Sequence, residues 1–318
     1  MRRREFIAGV AALGTLPRGA AAVPSAPGFE VPAGTCDTHV HVLDPARFPY
    51  SPRRRYTPGA ATVAELVALH DALGITRVVV VQNSVYGSDH RCLLDALRQL
   101  GPDRARGVGA VGDGTTAEEI ATLDGAGVRG TRLNLQVGRD RDASAAAAAV
   151  RSASARIPSG WHIHINAALP VIAAMADTLN ALPQPVVLDH FAHADADGGA
   201  DQPGMAEVIG LLRTGRAYVK LSGPYQISTR PDYTDVAPIA RALVIAAPDR
   251  IIWGSDWPHT AGTGRPTDQP MEFVEAFRTE DDGLNLGLLA GWVPDPALRR
   301  RILVEMPGVL YGFPAAGG

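Results

Sequence analysis

The chain has 318 residues, 46% hydrophobic and 20% charged, with a formal net charge of -3. That is enough apolar material for a large buried core, and α/β barrels reach this length as single units. No basic excess marks a nucleic-acid surface and no block of like charge marks a tail, so no nucleic-acid partner is expected, and composition says nothing of the chemistry.

The N-terminus departs from the rest. Arg2, Arg3 and Arg4 precede Phe6-Ile7, a short apolar run to Leu16, and the small residues Gly19 to Ala22. Arginine first, apolar second and small last is the order of an export leader, and paired arginines before Phe6-Ile7 match the twin-arginine type. The run is too short to span a bilayer, so no membrane anchoring is expected. Residues 1–22 read as an export signal directing the protein to the periplasm, 23–33 as a linker, and 34–314 as the folded body. The two cysteines, Cys36 and Cys92, have neither metal nor redox spacing and are expected to be buried free thiols.

From Cys36 onward, short aliphatic runs bounded by Gly, Pro or Asp alternate with helical patterns. The expected strands are Cys36–Val42, Arg77–Gln82, Arg106–Val111, Gly130–Leu135, Trp161–Asn166, Val186–Phe191, Ala217–Gly223 and Ile251–Asp256. Between them fall helices over Thr62–Leu73, His90–Leu100, Ala143–Ala155, Leu169–Leu182, Met205–Leu212, Val236–Ala246, Met271–Arg278 and Pro296–Met306. Thr62 with Glu65, and Thr116 with Glu119, have capping-box spacing. Strand-helix alternation repeated eight times predicts an α/β fold, a single (β/α)8 TIM-type barrel. The segment Thr38–Asp44 contains no glycine, which argues against an open dinucleotide-binding sheet.

In such a barrel the chemistry lies at the C-terminal ends of the strands. The first strand ends His39-Val40-His41, and residues two apart share a face. The sixth ends Asp189-His190 and the eighth ends Ser255-Asp256. Each motif alone is weak, because short motifs match by chance. Their conjunction is stronger, since burying that many ionisable groups without a function is costly.

Thr38-His39-Val40-His41, Leu188-Asp189-His190 and Trp253-Gly254-Ser255-Asp256-Trp257-Pro258 resemble the amidohydrolase superfamily (amidohydrolase family 2). Phe48-Pro49-Tyr50, Val81-Gln82-Asn83-Ser84, Gly130-Thr131-Arg132-Leu133-Asn134 and Lys220-Leu221-Ser222-Gly223 narrow the resemblance to its pyrone-dicarboxylate and sugar-lactone hydrolases and isomerases. The likeness runs from about Gly34 to the C-terminus. It implies lactone opening by water, with Asp256 as general base and His39, His41 and His190 polarising the carbonyl. It also implies that Tyr56, Ser84, Arg132 and Arg139 hold the substrate, a guanidinium suiting a carboxylate. The chain departs from the pyrone lactonases at Asn166, where they carry a tyrosine, and at Gln226, where they carry an arginine. These two residues join the expected substrate-binding set and favour a less anionic or hydroxyl-rich lactone.

The resemblance favours no obligatory cofactor. The fourth strand has no lysine, so the bridging carbamylated lysine of two-metal amidohydrolases is missing. The alternative reading is a metal-dependent hydrolase or decarboxylase with one divalent ion, such as zinc, on His39, His41, His164 and Asp256. A third is a barrel that binds a sugar acid without turning it over. Association into a homo-oligomer is compatible with any of them.

Overall fold

The structure is a computed structural model and describes residues 23–136, 142–260 and 268–314. The leader over residues 1–22 and Arg139 lie outside the described residues. Eight parallel strands follow one another around a barrel: β1 (Cys36–Val40), β2 (Arg77–Val81), β3 (Ala105–Gly109), β4 (Val128–Asn134), β5 (His162–Asn166), β6 (Val186–Leu188), β7 (Ala217–Ser222) and β8 (Ile251–Gly254). The ring closes where Val40 bridges Trp257 in parallel. There the His41 amide donates to the Trp257 carbonyl (2.8 Å) and the Asp256 amide to the His39 carbonyl (2.9 Å). The expected TIM-type barrel is therefore present.

Alternation along the strands sorts the core into two layers. Val78 and Val80 pack outward with the helices, while Val79 and Val81 join Cys36, Val108, Val187, Tyr218 and Ile252 inside. Tyr311 and Phe313 join the inner layer. They close the end of the barrel at which the strands begin, since Arg106 donates to the carbonyls of Tyr311 and Gly312. Cys36 and Cys92 are buried free thiols, as expected. Both predicted capping boxes form, at Thr62 with Glu65 and at Thr116 with Glu119.

Three expectations change. The apolar spacing of Met271–Arg278 does not produce a helix: Val274–Glu275 is extended and pairs in parallel with Thr57–Pro58. Pairing between distant segments overrides local periodicity there, and the helix starts later, at Asp282–Trp292, capped by the Asp281 carboxylate. The helix expected over Leu169–Leu182 divides at Met175 into Leu169–Ala174 and Ala176–Asn180. The stretch expected as a linker is held against the body: the Ser25 amide and hydroxyl donate to Asp281 at 3.0 and 2.6 Å.

That contact needs a glycine. A Cβ on Gly283 would collide with the Ser25 carbonyl oxygen, a clash no backbone tolerates. Gly283→Ala should therefore detach residues 25–27 and leave the barrel closed. The expected result is faster proteolytic clipping near Ser25 with unchanged far-ultraviolet circular dichroism. Equal clipping rates in the two proteins would show that the segment is not held by this contact.

Candidate active site

The barrel mouth is built by strands that stop early. β1 has an irregularity between Asp37 and Val40, where the register against β2 shifts. Cys36 and Val40 would share a face on a regular strand, yet Cys36 lies in the inner layer and Val40 in the outer. The shift turns His39 and His41 inward together. Asp37 pins this turn: its Oδ1 accepts from the amides of His39 (3.1 Å) and Ser255 (2.9 Å), and its Oδ2 lies 3.3 Å from His70 Nε2. β8 ends at Gly254, and Asp256 adopts φ 67°. Gly223 leaves room for it, since a Cβ there would lie 2.8 Å from Asp256 Oδ2.

β6 ends soonest, because His190, Phe191, Ala192 and His193 all have φ between 49° and 55°. Such left-handed residues cost about 1–2 kcal/mol each when they are not glycine. Burial of Phe191 against Trp292, with ring centroids 5.5 Å apart, offsets part of that cost. The turn swings His190 into the mouth, where its ring lies 4.9 Å from that of His39.

The four predicted catalytic residues converge. Asp256 Oδ1 lies 3.5 Å from His39 Nε2 and 3.8 Å from His41 Nε2, and Oδ2 lies 3.9 Å from His190 Nδ1. The Tyr225 hydroxyl (2.7 Å) and the Gln226 amide (3.3 Å) both donate to Oδ2. Burial alone would raise the Asp256 carboxyl, but the facing imidazoles and the Tyr225 hydroxyl outweigh it and hold the group below the usual carboxylate range. The His41 Nδ1–H donates to the Val81 carbonyl (2.8 Å), so its Nε2 carries a lone pair. Burial lowers His41 to about 4, which keeps it neutral near pH 7.

Beneath this layer lies a charge cluster in which Asp189 and Lys220 are fully buried and Arg132 nearly so. Asp189 Oδ2 accepts from Arg132 Nε (2.9 Å), and Oδ1 lies 3.5 Å from Lys220 Nζ and 3.5 Å from His39 Nδ1. Lys220 donates to the Thr38 carbonyl (2.8 Å) and lies 3.2 Å from His39 Nδ1 and 3.3 Å from His164 Nδ1. Burial lowers Lys220 to about 8, with Asp189 opposing the shift. Asp37, Asp189, Lys220 and Tyr225 were not among the predicted site residues. Lys220 had a legible signal: a lysine amid Tyr218, Val219, Leu221 and Ser222, on a strand with no exposed face.

Of the predicted substrate residues, Tyr56, Ser84, Asn166 and Gln226 stand above that cluster and Arg132 belongs to it. The Tyr56 hydroxyl donates to Asn83 (2.9 Å), which caps the short turn Ser84–Tyr86, and Ser84 itself is exposed. Asn166 donates to Asn134 (3.2 Å) and accepts from His193. Gln226 faces Asp256. Arg132 is half-committed, through Nε, to Asp189.

Two triads among the described residues could hold a metal ion: His39, Asp189 and His190, and His39, His41 and Asp256, with ligand atoms within 4.8 Å. His164 belongs to neither. Its Nδ1 faces Lys220 and its Nε2 lies 2.8 Å from His162 Nε2, so the structure gathers three of the four residues of the predicted zinc set and excludes His164. The register explains it. His164 pairs with Arg132, one layer below Asn166 and Asn134 at the rim.

The amidohydrolase family model matches residues 36–313. The chain belongs to the amidohydrolase family. It is 36% identical over 299 residues to a 2-pyrone-4,6-dicarboxylate hydrolase of Comamonas testosteroni, covering 91% of this chain and 93% of that one. It is 33% identical over 291 residues to a 4-sulfomuconolactone hydrolase of Hydrogenophaga intermedia, covering 91% and 92%. A crystal structure of a probable 2-pyrone-4,6-dicarboxylic acid hydrolase from Acinetobacter baumannii, with citric acid bound, superposes with a TM-score of 0.71 at 26% identity, covering 88% of this chain and 100% of that one.

Buried neutral imidazoles make stability depend on pH. The pKa of His41 is lowered to about 4 and that of His162 to about 3, both chiefly by burial. The unfolded chain takes up these protons below about pH 6.5 and the folded chain does not until nearer 4 and 3. Stability should therefore fall as pH drops from 6.5 towards 4, each group contributing up to about 1.4 kcal/mol per pH unit. Urea midpoints across that range measure the slope, and His162→Gln should flatten it. An unchanged slope would assign the pH dependence to other groups.

Proposed function

We propose that this protein is a hydrolase that opens the ring of a carboxylic- or sugar-acid lactone, with Asp256 as general base. One observation carries the reading. Asp256 is buried and deprotonated, Tyr225 and Gln226 donate to Oδ2, and Oδ1 is turned toward His39 and His41. The His41 Nε2 lone pair and Asp256 Oδ1, both acceptors 3.8 Å apart, suit the two protons of one water molecule. His41 thus orients the nucleophile. This refines the expected role of polarising the carbonyl, because its one proton is committed to Val81.

The water oxygen attacks the lactone carbonyl carbon as Asp256 Oδ1 takes a proton. His39 and His190 face the carbonyl oxygen and stabilise the charge it gains, His190 through its Nε2–H with Nδ1 accepting from the Ser222 hydroxyl at 3.1 Å. Collapse breaks the ring C–O bond, and the proton on Asp256 passes to the departing alkoxide. The terminal nitrogens of Arg132 receive a substrate carboxylate, and the neutral wall of Asn134, Asn166, His193 and Gln226 suits hydroxyl groups better than a second carboxylate. Lactone hydrolysis by the relatives supports the same class of substrate.

Asp256→Asn should lower kcat on a lactone panel by about 10²–10⁴-fold while the circular dichroism spectrum stays native. Retained turnover in that variant would remove Asp256 from the role of base. This reading uses no obligatory metal, so prolonged chelation should leave the wild-type rate unchanged. Loss on chelation with recovery on adding zinc would favour the metal-dependent alternative instead.

We further propose that the protein acts in the periplasm, on the support of the arginine-first, apolar-second order of residues 1–22. Replacing Arg2 and Arg3 by lysine should leave the unprocessed chain in the cytoplasmic fraction. Undiminished periplasmic recovery would reject a twin-arginine route.

A further inference from the structure

Both triads that could hold a metal share His39, and the partner of His39 on its far side decides what its near side can do. We propose that Lys220 is a positioning residue: it fixes His39 with its proton on Nε2, making it a donor to the reacting carbonyl oxygen and closing it to metal ligation.

Lys220 lies on β7 with its side chain fully buried between β1 and β5. An ammonium has three N–H groups and no lone pair. Here the three have three acceptors: the Thr38 carbonyl at 2.8 Å, His39 Nδ1 at 3.2 Å and His164 Nδ1 at 3.3 Å. Asp189 Oδ1, at 3.5 Å, supplies the countercharge. A ring nitrogen that accepts from an ammonium carries no proton, so the single proton of neutral His39 is on Nε2. Burial, with the Lys220 charge next, depresses His39 well below its ordinary value and keeps it in that neutral form.

His39 Nε2 is buried without a hydrogen-bond partner and lies 3.5 Å from Asp256 Oδ1. It is an orphaned donor aimed into the mouth, which a carbonyl oxygen would satisfy. His41, two residues along, has the opposite polarity. Its Nδ1–H is fixed by the Val81 carbonyl, so its Nε2 presents a lone pair. One strand therefore offers an acceptor for the water and a donor for the carbonyl, and the difference comes from what touches each Nδ1.

A metal ligand must present a lone pair. For His39 Nε2 to bind an ion, its proton would have to move to Nδ1, where it would face the Lys220 N–H groups. Asp189 Oδ1, which has no hydrogen-bond partner, competes for that proton from 3.5 Å, but the Lys220 ammonium lies nearer to Nδ1, at 3.2 Å, and is the ion-pair partner of the same oxygen. The triad of His39, His41 and Asp256 thus lacks one ligand in the form a metal needs, and on the Asp189 side the lone pair of His39 Nδ1 is already taken by the Lys220 ammonium at 3.2 Å. The cation beside the reacting centre is the protein's own ammonium.

The donor role rests on the lactone reading; the tautomer and the metal exclusion do not. The decisive measurement is therefore made without substrate. In protein with 15N-labelled histidine, two-bond proton–nitrogen correlation spectra at pH 7 should show His39 protonated at Nε2 and bare at Nδ1, with His39→Gln identifying its signals. A proton on Nδ1 would overturn the proposal. Lys220→Met should also bind zinc roughly 10–100-fold more tightly than wild type in competition with a chromophoric chelator. Unchanged zinc affinity in the folded variant would overturn it too. Should Lys220→Met fail to fold, the wild-type spectrum decides alone. Absence of lactone turnover with the expected spectrum would reject the substrate reading and leave the tautomer assignment standing.

Discussion

The seam between the first and last strands governs everything at the mouth. His39 and Asp256 are separated by most of the chain, yet their backbones are joined by the Asp256 amide donating to the His39 carbonyl at 2.9 Å. Asp37 reinforces the seam by accepting from the amides of both His39 and Ser255. Without that closure, the imidazoles of β1 would have no carboxylate before them. The seam also explains why β8 stops at Gly254: once its amides bond across to β1, the chain can turn and present Asp256 inward.

Behind the seam, the barrel spends stability on electrostatics. A fully buried ammonium, a fully buried carboxylate and a mostly buried guanidinium are costly unless they satisfy one another. Asp189 takes Arg132 on one oxygen and faces Lys220 with the other, and Lys220 uses its remaining capacity on Thr38 and two imidazoles. The low dielectric that makes the cluster expensive also strengthens each interaction within it. Preorganised dipoles of this kind stabilise developing charge without rearranging during the reaction.

The arrangement gives a physical account of how one family scaffold can serve different chemistries. The same first-strand imidazoles can ligate an ion or donate a hydrogen bond, according to which nitrogen holds the proton. On the Lys220 proposal that choice is made one layer below them, by the residue facing Nδ1. The rim is a separate matter. Asn166 bonds to Asn134 and His193 there, and Gln226 bonds to Asp256, so the rim is lined by amides and an imidazole.

Much of this was written in the sequence. Eight aliphatic runs spaced by helical patterns identify the barrel, because parallel strands buried on both faces need continuous apolar stretches. His39, His41, His190 and Asp256 stand at strand ends, which is where a barrel assembles its site. Local patterns could not reveal the bulge in β1, the left-handed turn after β6, or the pairing that turns Val274–Glu275 into a strand, since each depends on contacts with distant segments. Nor could they show that His164 faces Lys220 while His39 faces both Lys220 and Asp256. Sequence determines which ionisable groups the strands carry; only the closed barrel decides which nitrogen meets which neighbour, because proton placement on an imidazole is set by contacts across the ring of strands.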